Sequence, residues 1–161
     1  MAEAISNTSP LFYLHQIGAL DWLPSLFSDV WIPSAVVQEL AMGQLQGCNV
    51  PTFEARPWIR VVDPQLLPSE WLALDLGPGE LSALALALEN PQRTVLLDDA
   101  LARRIAQSAG LTLWGTLRVL LEGKKLGLAP EIAPLVHKLH SSGMWISADI
   151  RRRILTLAGE E

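Results

Sequence analysis

The sequence predicts an α/β fold built on a mostly parallel sheet, and three observations carry that reading. Short apolar segments of strand length alternate with segments whose apolar residues recur every three or four positions, the spacing of βαβ units. One strand segment, Thr94-Val95-Leu96-Leu97, is almost wholly apolar, as a central strand buried on both faces should be. Polar residues, above all the pair Asp98-Asp99, punctuate the ends of these segments. In a parallel sheet that is where the functional crevice opens.

Taken in order, Ala4-Ile5-Ser6 reads as the tail of a first strand. Pro10 opens a helix over Leu11, Leu14, His15 and Ile17, because proline suits the first helical turn. Asp21 is placed to cap a short helix through Trp22 and Leu26, and Val30 to Pro33 is extended. Ser34 then caps a helix with an apolar face of Val36, Val37, Leu40 and Ala41, followed by a loop over 43–57. Trp58 to Val62 is a strand. The next helix runs from Gly79-Glu80 to Asn90-Pro91, where proline stops it. After the strand Thr94 to Leu97, a helix spans Ala100 to Ala109 and ends at Gly110. Leu111 to Trp114 is a strand, and Gly115-Thr116 opens a helix reaching Lys125. Two further helices, Glu131 to His140 and Ala148 to Leu157, flank a short Met144-Trp145-Ile146.

The chain has 161 residues, 50% of them apolar, enough for one domain with a single sizeable core. The whole of 1–161 is therefore expected to be one domain, with the C-terminal helices from about 131 appended to it. No segment approaches the roughly 18 uncharged apolar residues that a membrane span needs. Glu3 stands where a secretory signal would be basic, so a cytoplasmic protein with no membrane role is expected. A single cysteine, Cys48, rules out an internal disulfide and a multi-cysteine zinc site. The net charge of -5 conceals an asymmetry. Residues 1–90 hold only Arg56 and Arg60 against ten acids, whereas 91–161 hold ten basic residues against seven acids. Solvated helix faces explain such a distribution, and so does a basic flank beside an acidic pocket.

Five residues are candidates for one site. Asn7, Asp98 and Asp99 lie just past the carboxyl ends of strands, and Glu39 and Glu80 lie on helices able to fold over the same edge. Each has an ordinary alternative. Asp99 suits a helix N-cap, Glu80 sits in a first helical turn where the dipole favours an anion, and Asn7 is a good turn former. Two adjacent carboxylates repel unless a cation lies near, however, and acids delivered from separate elements to one edge make a cage for a hard divalent cation. Such oxygen donors select Mg²⁺ or Mn²⁺ over zinc. The three histidines form no metal spacing with acids or with Cys48. The six tryptophans are read as core or interface residues rather than base-stacking platforms. There is no Walker loop, no Gly-x-Gly-x-x-Gly and no Gly-x-Ser-x-Gly, so nucleotide cofactors and a serine nucleophile lack support. A phospho-acceptor receiver is a poor match, because the acid pair follows a late strand and Gly115-Thr116 stands where a lysine belongs.

With these residues in hand, the chain resembles the PIN domain family, in its VapC-like toxin ribonuclease branch. The matching stretches are Ser6 to Leu11, Ile32 to Leu40, Leu76 to Glu80, Leu96 to Asp99 with Arg103-Arg104, and Gly115 to Leu117. The resemblance implies a three-layer fold, a central mostly parallel sheet flanked by helices. It implies a ribonuclease dependent on Mg²⁺ or Mn²⁺, often a homodimer, inhibited by a small antitoxin. Glu39, Glu80 and Asp99 would take the family's second, third and fourth acidic positions, with Asp98 assisting. Thr8, Ser9 and Thr116 would be polar helpers binding water or phosphate, and Arg103 and Arg104, or Arg151 to Arg153, would steer the RNA backbone. The departure is Asn7, where the family carries aspartate: an amide offers a carbonyl oxygen but no charge. Two rivals follow, a PIN-like binding or regulatory module that has lost turnover, and a phosphatase acting on small phosphate esters.

Overall fold

A computed structural model describes residues 1–67, 69–70 and 74–161. Five short strands form one sheet: β1 (Ala4–Ser6), β2 (Val30–Ile32), β3 (Ile59–Val61), β4 (Thr94–Leu96) and β5 (Leu113–Trp114). All pair in parallel, in the spatial order β3-β2-β1-β4-β5. The chain builds outward from β1 in one direction and then returns to add β4 on the other side. The strand order therefore reverses between β1 and β4, and the crevice of a doubly wound sheet opens there. Their register sets Ser6 opposite Leu96, which brings Asn7 and the residues after Leu96 level with one another at the carboxyl edge.

Side chains alternate across the sheet and so divide the core in two. Ala4, Val30, Ile32 and Leu96 belong to one apolar cluster. It is covered by α1 (Thr8–Gln16), α2 (Leu23–Leu26), α3 (Ser34–Leu45), α6 (Thr116–Lys125), α7 (Ala133–Ser141) and α8 (Ala148–Leu157). Ile5, Val95 and Leu97 point the other way and pack against α4 (Pro78–Glu89) and α5 (Ala100–Ser108). The result is three layers. Leu14 on α1 and Leu84 on α4 are fully buried, one on each side. Truncating either to alanine is expected to cost about 3 kcal/mol through lost burial and the cavity left behind.

Several element boundaries depart from the sequence reading, three of them where a partner distant in the chain claims the residue. The first helix begins at Thr8, with Pro10 inside its first turn. Ser34 is the first residue of α3 rather than its cap, and its backbone N–H and Oγ both donate to Asp63 Oδ1, at 2.8 and 2.9 Å. Asp21 lies within a 3-10 turn (Leu20–Trp22) and makes an ion pair with Arg56 at 2.9 Å instead of capping. The helix expected to stop before residue 43 continues to Leu45. Glu160 accepts the N–H groups of Ile132 and Ala133, so α7 starts two residues later than expected; Lys124 holds the same carboxylate at 2.9 Å. Of the six tryptophans, Trp71 lies outside the described residues. Trp22, Trp31, Trp58 and Trp114 pack against the core, and Trp145 is 80% exposed.

The amino edge of the sheet carries a closed charge cluster. Arg93, just before β4, is 1% exposed. Its guanidinium stacks on Trp31 with 3.5 Å to the ring centroid, binds Asp29 just before β2, and lies 3.5 Å from Glu3 just before β1. Among the described residues no helix is long and apolar enough to cross a membrane.

Candidate active site

Four of the five candidate residues line one cleft at the opposite, carboxyl edge. Asn7 follows β1, Asp98 and Asp99 come two and three residues after Leu96, the last residue of β4, and Glu80 projects from the first turn of α4. Together with Ser9, Tyr13, Met144 and Trp145 they enclose about 320 Å³. Glu39 is not part of this wall. Its Oε2 accepts the backbone N–H of Gly79 at 3.0 Å, and its Oε1 accepts the Thr8 hydroxyl in a short hydrogen bond. A carboxylate at the start of α4 is favoured by the helix dipole and by the unpaired N–H groups of the first turn. This approach requires glycine at position 79: a Cβ there would overlap the Glu39 carboxylate and lie 3.1 Å from Asn7 Oδ1.

The two adjacent aspartates have different duties. Asp99 caps α5, with Oδ1 accepting the N–H of Ala102 at 2.9 Å, which engages one oxygen of the two. Asp98 is more fully committed. Its Oδ1 accepts the N–H of Thr116 at 2.9 Å, and its Oδ2 accepts the Thr116 hydroxyl at 2.7 Å and the Ser9 hydroxyl at 3.2 Å. Asp98 thus ties the starts of α1 and α6 to the end of β4. Gly115 leaves room for this knot, since a Cβ there would sit 2.8 Å from Arg103 Nη1 and 3.1 Å from Asp98 Oδ1. The same arginine donates to the Leu97 carbonyl at 2.8 Å.

The electrostatics follow from crowding acids with little compensation. Glu80 is held above the ordinary carboxylate range, first by burial and then by the charge of Asp99; a hydrogen bond from the Gly77 backbone acts in the opposite sense, and Glu39 and Asp75 add smaller upward pushes. Burial, and secondarily the charge of Asp98, pushes the Tyr13 phenol up. Among the described residues none of Glu39, Glu80, Asp98 or Asp99 takes part in a salt bridge. Asn7 is 2% exposed, and its Oδ1 is buried without a hydrogen-bond partner. An orphaned carbonyl oxygen in a protein interior costs about 1–3 kcal/mol unless something meets it.

The sequence reading thus finds its residues brought together in part. Asn7, Glu80, Asp98 and Asp99 share the cleft, and Glu39 reaches it only through Gly79 and Thr8. The hydroxyls of Thr8, Ser9 and Thr116, expected to bind water or phosphate, donate instead to Glu39 and Asp98. Arg103 borders a neighbouring groove, whereas Arg104 is exposed and lines neither depression. Tyr13, Met144 and Trp145 were not among the expected site residues, and Gly79 and Gly115 stood only inside the stretches that carry the resemblance. For Tyr13 a signal existed, since it follows Ser9 by four positions and so shares its helix face.

A parallel α/β protein with its acids gathered at the topological switch point is the class that fold and site define. Within that class the chain belongs to the PIN domain family: a family model described as a PIN domain matches residues 3–160. No curated protein matches the chain. PIN domains are generally nucleases, which makes a hydrolase with a nucleic-acid substrate the coarse class here. Nucleases of this family typically use a divalent metal. The residues present fit such an ion chemically, because the donors are all oxygens and the Asn7 carbonyl oxygen is buried beside Gly79 with no partner. Among the described residues no three His, Cys, Asp or Glu side chains already converge closely enough to hold an ion.

Proposed function

We propose that this protein is a Mg²⁺- or Mn²⁺-dependent endoribonuclease that hydrolyses RNA phosphodiester bonds. In this reading 1–161 is one domain, which serves as the toxin of a toxin–antitoxin pair in the cytoplasm, forms a homodimer and is restrained by a small antitoxin. The observation that supports it most is the cleft itself: Asn7, Glu80, Asp98 and Asp99 share one opening at the switch point of a parallel sheet, and no cationic side chain pairs with them among the described residues. Glu39, Glu80 and Asp99 would hold the ion, with the Asn7 carbonyl completing the set and Asp98 assisting. When bound, such an ion supplies Lewis-acid polarisation of the phosphoryl group and activation of water. The chain's own residues supply position. Thr8 and the α4 N-terminus fix Glu39, Thr116 and Ser9 fix Asp98, and the start of α5 fixes Asp99. Arg103, with Arg104 and Arg151 to Arg153 further out, would attract the RNA backbone.

The test is cleavage of a mixed structured RNA with and without Mn²⁺, comparing the native protein with Asp99→Asn. Asparagine still caps a helix, so loss of metal-dependent cutting in that variant reports the chemistry rather than α5. Cutting that is equal in the two proteins would sink the proposal.

A second reading, the binding module without turnover, is favoured by one observation. Asn7 brings no charge where the family has aspartate, and among the described residues no three His, Cys, Asp or Glu side chains converge. Asn7→Asp separates the two. A dormant nuclease gains cleavage from the added carboxylate, and a protein that only binds does not.

A further inference from the structure

Beside the acid cleft runs a larger groove of about 670 Å³, and the two share a wall at Asp98, Met144 and Trp145. Trp145 is the exception among the described tryptophans. Its side chain is 80% exposed, while the others pack against apolar neighbours. An indole left in water forfeits the burial that normally justifies so large an apolar surface.

The segment that presents it is pinned at both ends. Gly143 takes a φ of 109°, a backbone conformation that L side chains rarely adopt. The N–H of Met144 donates to the Leu139 carbonyl at 3.1 Å, and Ser147 caps α8 by accepting the N–H of Ile150 at 3.1 Å. Trp145 is therefore held out by structured neighbours on either side.

The groove also holds charge of the sign a phosphate backbone needs. Arg118 and Lys125 are both tied to Glu122, at 2.9 and 3.2 Å, whereas Arg103 makes no ion pair among the described residues. Its hydrogen bond to the Leu97 carbonyl and the close approach of Gly115 fix the guanidinium beside the cleft rim.

We propose that Trp145 and Arg103 form a nucleotide subsite for single-stranded RNA at the rim of the acid cleft, the indole stacking an unpaired base and the guanidinium holding its phosphate. The inference rests on the nuclease reading for its substrate and adds the residues of this chain that would hold it. Single strands are selected because a base in a duplex keeps its faces inside the helical stack, while an unpaired base offers one to an aromatic ring. An apolar protein partner is the poorer occupant, since covering Trp145 would also cover Asp98 and Glu80, which share its cleft, and bury their charges.

The experiment is fluorescence anisotropy of an end-labelled single-stranded oligoribonucleotide, and of its duplex, in EDTA so that no turnover occurs. Native protein, Trp145→Ala, Trp145→Phe and Arg103→Gln are compared, with Mn²⁺-dependent cleavage and light scattering measured separately. Trp145→Ala is expected to weaken single-strand binding roughly tenfold, Trp145→Phe to retain most of it, and duplex binding to be unmoved by either. Arg103→Gln should lower both the affinity and its salt dependence. Loss of cleavage in the native protein with Trp145-dependent binding intact overturns the nuclease and leaves the subsite standing. Equal single-strand binding by native and Trp145→Ala, no RNA binding by the native protein, or a change of oligomeric state in place of a change of affinity overturns the subsite.

Discussion

The two edges of one sheet handle charge in opposite ways. At the amino edge, residues preceding β1, β2 and β4 form a cluster in which the buried Arg93 is matched by Asp29 and Glu3 and seated on Trp31. At the carboxyl edge, residues following β1 and β4 bring Asn7, Asp98 and Asp99 beside Glu80, and no salt bridge pairs any of these acids among the described residues. The same strands position both groups, so topology alone does not explain the contrast. One edge is neutralised and contributes to stability. At the other, burial and the charge of Asp99 disfavour the charged form of Glu80, and such sites are candidates for function.

That contrast is open to attack from either side. The largest expected effect is on activity: Asp99→Asn should reduce Mn²⁺-dependent RNA cleavage at least about a hundredfold, the scale seen when groups around a metal are lost. Steady-state cleavage rates check this. At the opposite edge Arg93→Ala should remove about 2–3 kcal/mol of stability, because it deletes a buried side chain seated on Trp31 and leaves the half-buried Asp29 without its partner. Urea unfolding would show it as a lowered midpoint at unchanged slope. Asn7→Asp should lower the melting temperature of the metal-free protein, since a carboxylate would replace a group only 2% exposed and already beside Glu39 and Gly79. Added Mn²⁺ should restore the loss, in proportion to the logarithm of its concentration.

The smallest effect is the most specific. Glu80 has its folded pKa raised above the unfolded value, chiefly by burial and by Asp99. Below the unfolded value the residue is protonated in both states and contributes no penalty. As pH rises through the interval up to the folded value, the native state holds the proton longer and stability falls; above it the full penalty persists. Glu80→Gln should accordingly raise the melting temperature of the metal-free protein by roughly 1–3 °C at neutral pH, and the gain should vanish in acid. Melting curves at several pH values decide it.

Much of this arrangement was legible in the sequence, and the parts that were not share a physical cause. The strand at Thr94 to Leu97 declares itself by an unbroken apolar run, and Asp98-Asp99 marks its end. Asp99 as a helix cap follows from neighbours three residues apart. Features that depend on distant partners gave no local sign. The Asp98 carboxylate is taken up by Thr116, eighteen residues later, and by Ser9 on another helix. Asp21 and Ser34 looked like caps because their type and position fit, but Arg56 and Asp63 claimed them. Arg93 reads as a surface residue in a polar loop until Asp29 and Trp31 are seen around it. The exposure of Trp145 likewise runs against its residue type, and only the fold reveals that it stands over the acids.

The most direct test of the central claim, that the carboxyl edge is an acid cluster awaiting a divalent cation, is a thermal melt of native protein and Asp99→Asn at neutral pH, each with and without Mn²⁺. Without metal, Asp99→Asn is expected to melt above the native protein, because a repulsion is gone and the cap is kept. Mn²⁺ is expected to stabilise the native protein and to leave the variant nearly unmoved. A native melting temperature indifferent to Mn²⁺, together with an Asp99→Asn variant less stable than the native protein, would contradict it.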